Sequence, residues 1–113
     1  MIEFALTNYL NDIFQGSPPV YSEIPEDPPA EYIAFERTGG SAENHIESAT
    51  VAIQSVSTSL EKAIELNDAV KRAMEAFPDI DEVAACYLNS DYNFTDPESE
   101  RYRYQAVFNI THY

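Results

Sequence analysis

The chain has 113 residues and is strongly acidic, with 20 Asp or Glu residues against 6 Lys or Arg residues and a net charge of -14. Nonspecific nucleic-acid binding depends on cationic side chains that neutralise phosphates. The excess of acidic residues therefore excludes a protein that binds duplex DNA tightly. The length suits a single domain over residues 1–113, and a hydrophobic content of 44% is enough to form one core.

Two further features of the sequence concern the cellular location of the protein. A lone cysteine cannot form an internal disulfide, so the fold does not require an oxidising compartment. The first ten residues lack the basic segment and cleavage site of a signal peptide, and no apolar run approaches the ~20 residues of a membrane span. We therefore expect a cytosolic chain without a membrane partner.

The first third of the chain predicts one helix and a proline-rich connection. Apolar residues at positions 2, 6, 9, 10 and 13 fall on one stripe of a helix, which Gly16 and Pro18 would end. Five prolines between positions 18 and 29 then flank residues 20–24, which could form one edge strand.

Two neighbouring strands are predicted next. Residues 31–38 mix β-branched and aromatic side chains in rough alternation and stop at Gly39-Gly40, which we interpret as a turn that permits positive φ. A loop over residues 39–45 would lead to a second strand over residues 48–56. The glycine-containing connection makes antiparallel pairing of the two strands plausible.

The second half predicts a long helix and two more strands. Apolar residues recur at steps of three or four between positions 60 and 77, which indicates a helix of about five turns capped by Ser57, Thr58 or Ser59. Strands are predicted over residues 81–90 and 101–112, with a polar loop between them. This order predicts an α+β fold with an antiparallel or mixed sheet of four to five strands and two helices packed on one face.

A partial calcium-loop pattern is present but does not fit. Asp91, Asn93 and Thr95 match the first, third and fifth positions of such a loop. However, Asp96 stands where glycine is needed, and Tyr102 stands where a bidentate Glu is needed. We interpret this segment as a solvated acidic loop.

Other patterns for catalysis are missing as well. Cys86 lies in an apolar run, which raises a thiol pKa and favours a structural role over a nucleophilic one. His45 and His112 have no second metal ligand at a suitable spacing on the same element. We expect neither enzymatic activity nor a metal or cofactor.

Two predicted irregular segments, residues 39–47 and 88–100, are the candidates for contacts with partners or with a lumen. Long loops on a compact sheet are where binding residues concentrate. The candidate residues in and beside these segments are Arg37, Gly39, Gly40, Glu43, Asn44, His45, Glu47, Asp91, Asp96, Glu98 and Glu100.

From residue 31 to residue 112, the order of elements resembles the tail terminator proteins of long-tailed bacteriophages and prophages, also described as tail completion, minor tail or minor capsid proteins. The resemblance is one of ordered pattern and contains no single diagnostic motif. The matching stretches are Glu36-Arg37-Thr38-Gly39-Gly40, Ala52-Ile53-Gln54-Ser55, the helix segment from Lys62 to Val70, and the aromatic strand from Tyr102 to Ile110.

The resemblance implies a structural subunit that forms a ring, commonly a hexamer, at the head-proximal end of the tail tube. Its implied partners are copies of itself, the tail tube protein and a neck or head-completion protein. Genomic DNA would pass through without specific binding, and an acidic wall suits that passage because it repels phosphate. The protein would be assembled in the bacterial cytoplasm and end in the tail or neck of the virion.

Two alternatives remain open at this stage. The subunit could belong to the head side of the neck as a head-tail connector, a distinction that the docking partner would decide. It could also be an acidic DNA mimic that occupies the nucleic-acid site of a host enzyme, which the net charge permits.

Overall fold

A five-stranded sheet with both helices on one face forms the fold in a computed structural model, which describes residues 2–43, 46–98 and 101–113. The strand order is β1-β2-β3-β5-β4, and the sheet is mixed because β1 pairs with β2 in parallel while all other pairs are antiparallel. The predicted α+β class is confirmed. The elements in chain order are α1 (Ile2–Phe14), β1 (Val20–Tyr21), β2 (Tyr32–Glu43), β3 (Ile46–Ser57), α2 (Leu60–Glu75), a short 3₁₀ helix (Phe77–Asp79), β4 (Val83–Asn93) and β5 (Tyr102–His112).

The helix ends follow local chemistry. Helix α1 ends where Gln15 and Gly16 adopt positive φ angles of 52° and 76°, as glycine in particular allows. Helix α2 begins after Ser59, whose hydroxyl oxygen accepts a hydrogen bond from the Lys62 N–H at 3.2 Å. Of the three predicted caps, Ser59 is therefore the one used.

The core lies between the sheet and the two helices. The apolar stripe of α2 packs on β3 and β5, where Val51, Ile53 and Phe108 are almost completely buried. The buried residues of α1 belong to the same core cluster, and α1 also contacts β1. The Tyr9 hydroxyl on α1 donates a hydrogen bond to the Ala73 carbonyl oxygen on α2 at 2.5 Å. Its ring also lies 5.0 Å from the ring of Phe77. These contacts join the helices to each other as well as to the sheet.

The strands are longer than predicted. Strand β2 continues through Gly39-Gly40 to Glu43, so the predicted turn at the two glycines is wrong; neither glycine has a positive φ. Strand β3 begins at Ile46, and β4 extends to Asn93. Polar residues conceal these extensions in the sequence, because an exposed strand end needs no alternation of apolar side chains.

The centre of the sheet face that points away from the helices carries polar, uncharged side chains, and beside it Tyr32, Ala34 and Val56 form a small buried apolar cluster of their own. In the centre of this open face, the Gln54 side chain donates to the Gln105 side chain at 3.1 Å, and Gln105 donates to the Tyr92 hydroxyl at 2.6 Å. Thr50 and Asn109 make a further side-chain hydrogen bond across the same two strands at 3.3 Å. The centre of the open face therefore differs from the strongly acidic remainder of the chain.

Candidate interaction surfaces

The first candidate surface is the far end of the β2–β3 hairpin, which we call the hairpin arm and define as residues 36–43 and 46–50. Its side chains from residue 36 to residue 42 and from residue 46 to residue 48 are exposed. The predicted loop over residues 39–47 is thus mostly paired strand. Asn44 and His45 lie outside the described residues, and for Glu43 only the strand position is described.

Arg37 folds back over the hairpin arm. The pairing with β3 shifts register between Arg37 and Gly39, which indicates a bulge. The guanidinium Nε of Arg37 donates to the Gly39 carbonyl oxygen at 3.3 Å, and its Nη1 lies 3.5 Å from the carboxylate of Glu3 on α1. A β-carbon at Gly40 would overlap this guanidinium and would lie 2.8 Å from the Ser48 carbonyl oxygen. Gly40 is thus needed for close approach, and its φ angle is ordinary.

A histidine contact lies near the tip of the hairpin arm, where Glu47 is paired with Ala42. Glu47 Oε2 lies 3.6 Å from Nδ1 of His112 on β5, whose side chain is buried. The other ring nitrogen, Nε2, has no hydrogen-bond partner within the described part of the chain. Glu47 therefore lies beside the buried imidazole of His112 at the end of the sheet. The two residues are far apart in the sequence, so sequence spacing does not predict this contact.

Asp91 belongs to β4 and faces helix α2. Its Oδ2 accepts hydrogen bonds from the Lys71 ammonium at 2.8 Å and from the Asn67 side-chain amide at 3.0 Å. The hydrogen bond from Lys71 is the main cause that lowers the pKa of Asp91, and the same bond raises the pKa of Lys71. The Asp91 carboxylate therefore joins β4 to α2. The sequence pattern predicts a loop position for Asp91, whereas the structure places it in a strand.

The remaining acidic candidates lie at the opposite end of the sheet. Asp96 Oδ1 accepts a hydrogen bond from the Glu98 N–H at 3.0 Å, which is the geometry of an Asx turn. Glu98 is exposed, and Glu100 lies outside the described residues. The structure therefore does not gather the predicted candidates into one site but divides them between the two ends of the sheet.

Sequence reasoning missed the exposed apolar side chains of β4. The sequence predicts a strand over residues 81–90 without its place in the sheet, and the structure puts β4 at the edge. Tyr87 is 68% exposed, Leu88 46% and Tyr92 41%, and Phe94 directly after the strand is 44% exposed. Apolar composition alone does not distinguish a central strand from an edge strand with an apolar outer surface.

A shallow cleft of about 300 Å³ lies between α2 and β4. Met74, Leu88 and Phe108 form its apolar part, and Lys71 and Arg72 are among its charged lining residues. Cys86 also lines it, and burial raises the pKa of this thiol to about 11. A thiol with this pKa is a poor nucleophile at neutral pH, in line with the structural role predicted for it.

A second cleft, of about 460 Å³, has a cationic wall formed by Arg101 and Arg103. Arg101 donates to the Pro28 carbonyl oxygen at 3.1 Å, and its guanidinium carbon lies 6.0 Å from the centre of the Tyr32 ring. The Nε of Arg103 is buried without a hydrogen-bond partner among the residues described. The alternation Arg101-Tyr102-Arg103-Tyr104, which leads into β5, is the sequence signal for this cleft.

Within residues 2–43, 46–98 and 101–113, no three His, Cys, Asp or Glu side chains are grouped so that they could hold a metal ion. No helix in those ranges is long and apolar enough to cross a membrane. No family model matches the sequence, and no curated protein matches it significantly.

Proposed function

We propose that this chain is a structural subunit of a long-tailed bacteriophage or prophage. Copies of it form a ring, a hexamer by the resemblance, that caps the head-proximal end of the tail tube and joins it to the head. The ring carries out no catalysis and needs no cofactor. Its partners are the tube protein and a neck or head-completion protein.

The observation that carries the proposal is where the four matching stretches lie in the fold. The motif with Gly39-Gly40 lies in β2, the Ala52–Ser55 motif in its partner β3, the third stretch in α2 and the aromatic stretch in β5. These elements contact one another directly: β3 pairs with both β2 and β5, and α2 packs on β3 and β5. The four stretches thus belong to one packed unit, and this supports the proposal.

Charge and shape support the same role. A wall with a net charge of -14 per subunit repels the phosphates of DNA that moves past it. The subunit is elongated, with principal extents of 45, 26 and 25 Å, and its charge-poor open face and edge strand offer surface for protein contacts. A subunit that binds other proteins and allows DNA to pass needs a charge-poor contact surface as well as an acidic surface.

The experiment is to delete the gene for this chain from its phage or prophage and to measure tail lengths by electron microscopy. We expect tubes longer than those of the parent, because polymerisation of the tube would no longer be capped. Expression of the wild-type chain from a plasmid should restore the parental length.

Two other results would contradict the proposal. Tails of normal length that fail to join filled heads would place the chain on the head side of the neck. Unchanged particles, together with tight binding of the purified monomer to a DNA-binding host enzyme, would favour the DNA mimic.

A further inference from the structure

The sheet has two open edges. Strand β4 forms one edge over Val83–Asn93 and pairs only with β5 within the described residues. At the other edge, β1 pairs with only Ile33 and Ala34 of β2. Residues 35–43 of β2 have β3 as their only strand partner in the described chain. Open edges of this length present unpaired N–H and C=O groups to other chains.

The two edges run in opposite directions. Strands β2 and β3 are antiparallel, as are β3 with β5 and β5 with β4. Strand β4 is therefore antiparallel to β2. When copies are related by rotation about an axis along the strands, β4 of one copy meets β2 of the next in antiparallel orientation. Such a contact between two different edges is heterologous, and it generates a closed ring when the rotation closes.

The outer surface of β4 has the chemistry of a contact between proteins. The strand contains no Lys, Arg or Pro, and its only carboxylate, on Asp91, is engaged by Lys71. Natural edge strands that avoid pairing usually carry such charges or prolines on the outside. In a chain with a net charge of -14, β4 is therefore a place where two copies can meet with little repulsion.

The backbone of β4 is also correctly oriented. The Phe94 N–H donates to the Arg103 carbonyl oxygen on β5 at 2.9 Å. Because the donors of an antiparallel strand alternate between its two sides, the N–H groups of Asn93 and Asp91 point away from β5. These amides are donors available to a further strand.

We propose that β4 of one copy pairs in antiparallel orientation with residues 35–43 of β2 in the next copy, so that the sheets of neighbouring subunits become continuous. The proposal rests on the ring-forming role proposed above and identifies its contact. Leu88 and Tyr87 pack against the neighbour from the two faces of the strand. The like charges on the rest of the surface oppose the contact until salt screens them, with a Debye length of ~3 Å at 1 M salt.

The test uses the purified full chain and the variant Leu88→Lys, with Tyr87→Lys as a second variant. Light scattering coupled to size exclusion gives the mass at low salt and at about 1 M salt. We expect the wild type to shift from monomer to a multi-subunit mass as salt increases, and both variants to lose that shift. The matched control is Phe4→Lys, which changes an exposed aromatic residue on α1 and should assemble as the wild type does.

Hydrogen exchange on the same samples identifies the contact. The amides of Asp91 and Asn93 should exchange at least about tenfold more slowly in the assembled wild type than in Leu88→Lys, because a new strand would protect them. Circular dichroism should show the same fold and melting behaviour for all variants.

The proposal is overturned if the wild type stays monomeric at every salt concentration, or if Leu88→Lys and Tyr87→Lys assemble as fully as the wild type. It is also overturned if the variants assemble but no longer bind tails, since β4 would then contact the tube protein. The two proposals can fail separately. If the chain assembles through β4 but deletion of its gene leaves tail length unchanged, the role in the tail is contradicted and the edge contact is not.

Discussion

At the scale of single residues, Asp91 holds the edge strand to the body of the protein. Its carboxylate accepts hydrogen bonds from both Lys71 and Asn67 of α2, and the side chains of Asp91 and Lys71 are 27% and 29% exposed. Charged hydrogen bonds in such partly buried positions contribute more to stability than exposed ion pairs do. The carboxylate therefore links the proposed contact strand to α2, in addition to the pairing of β4 with β5.

The change Asp91→Asn should lower the free energy of unfolding at pH 7 by about 1 to 2 kcal/mol, because it removes a charged acceptor between two elements. Folding lowers the pKa of Asp91 from its ordinary value of 3.8. Its contribution is thus complete above that value and is lost as the pH falls through the lowered pKa. Urea denaturation of wild type and variant between pH 7 and pH 2.5 measures this difference.

The control for this prediction is Glu65→Gln, which removes a charge from an exposed position on α2. It should change the free energy of unfolding by no more than about 0.5 kcal/mol at pH 7. A loss of stability in Asp91→Asn that stays constant down to pH 2.5 would show that the carboxylate charge is not the cause.

At the scale of elements, the hairpin arm depends on different properties of two adjacent glycines. At Gly39 a β-carbon would have ordinary contacts, the nearest at 3.9 Å from Thr50. At Gly40 it would lie 2.8 Å from the backbone oxygen of Ser48 and would also displace the guanidinium of Arg37. Only the second glycine is needed for the two strands and the Arg37 side chain to fit together.

The change Gly40→Ala should therefore lower the free energy of unfolding by about 1 kcal/mol or more and release the contact of Arg37 with Glu3. The change Gly39→Ala is the matched control and should leave stability within about 0.5 kcal/mol of the wild type, since alanine also restricts the unfolded chain. Urea denaturation and hydrogen exchange of the arm amides provide the measurement. Equal effects of the two changes would contradict this account of Gly40.

The elements with a strong apolar periodicity could be predicted from the sequence, whereas the ends of the strands could not. Helix α2 was predictable because its apolar side chains recur along one stripe. On the predicted last strand, Phe108 and Ile110 are buried while Asn109 between them is exposed. The continuation of β2 through Gly39-Gly40 was not predictable, because a glycine pair between strands usually marks a turn. In the structure the strand continues through the two glycines, and the register with β3 shifts at a bulge between Arg37 and Gly39.

The candidate surfaces were predictable only in part. The exposure of Glu47 and Glu98 agrees with the sequence interpretation, whereas Asp91 is engaged by α2. The apolar exterior of β4 was missed because its edge position follows from the pairing of β5 between β3 and β4. That order depends on contacts distant in sequence, which local patterns do not encode.

At the scale of the whole molecule, the acidic surface and the proposed contact surface are separated. Carboxylates are frequent on the exposed side of α2 and in the connections, for example at Glu65, Asp81 and Glu98. The centre of the open face and the edge strand β4 are almost free of charge, with the Gln54–Gln105 pair and Tyr87 as examples. This separation suits a subunit that binds proteins through its sheet while its acidic surface repels DNA.

The central claim, a ring at the head-proximal end of the tail, is tested most directly by locating the chain on purified phage particles. A gold label attached to a C-terminal tag on Tyr113, a residue that is 69% exposed, would be imaged by electron microscopy on intact particles and isolated tails. The account predicts several labels grouped at one level where the tail meets the head. Labels spread along the tube, confined to the tail tip or absent from the particles would contradict it.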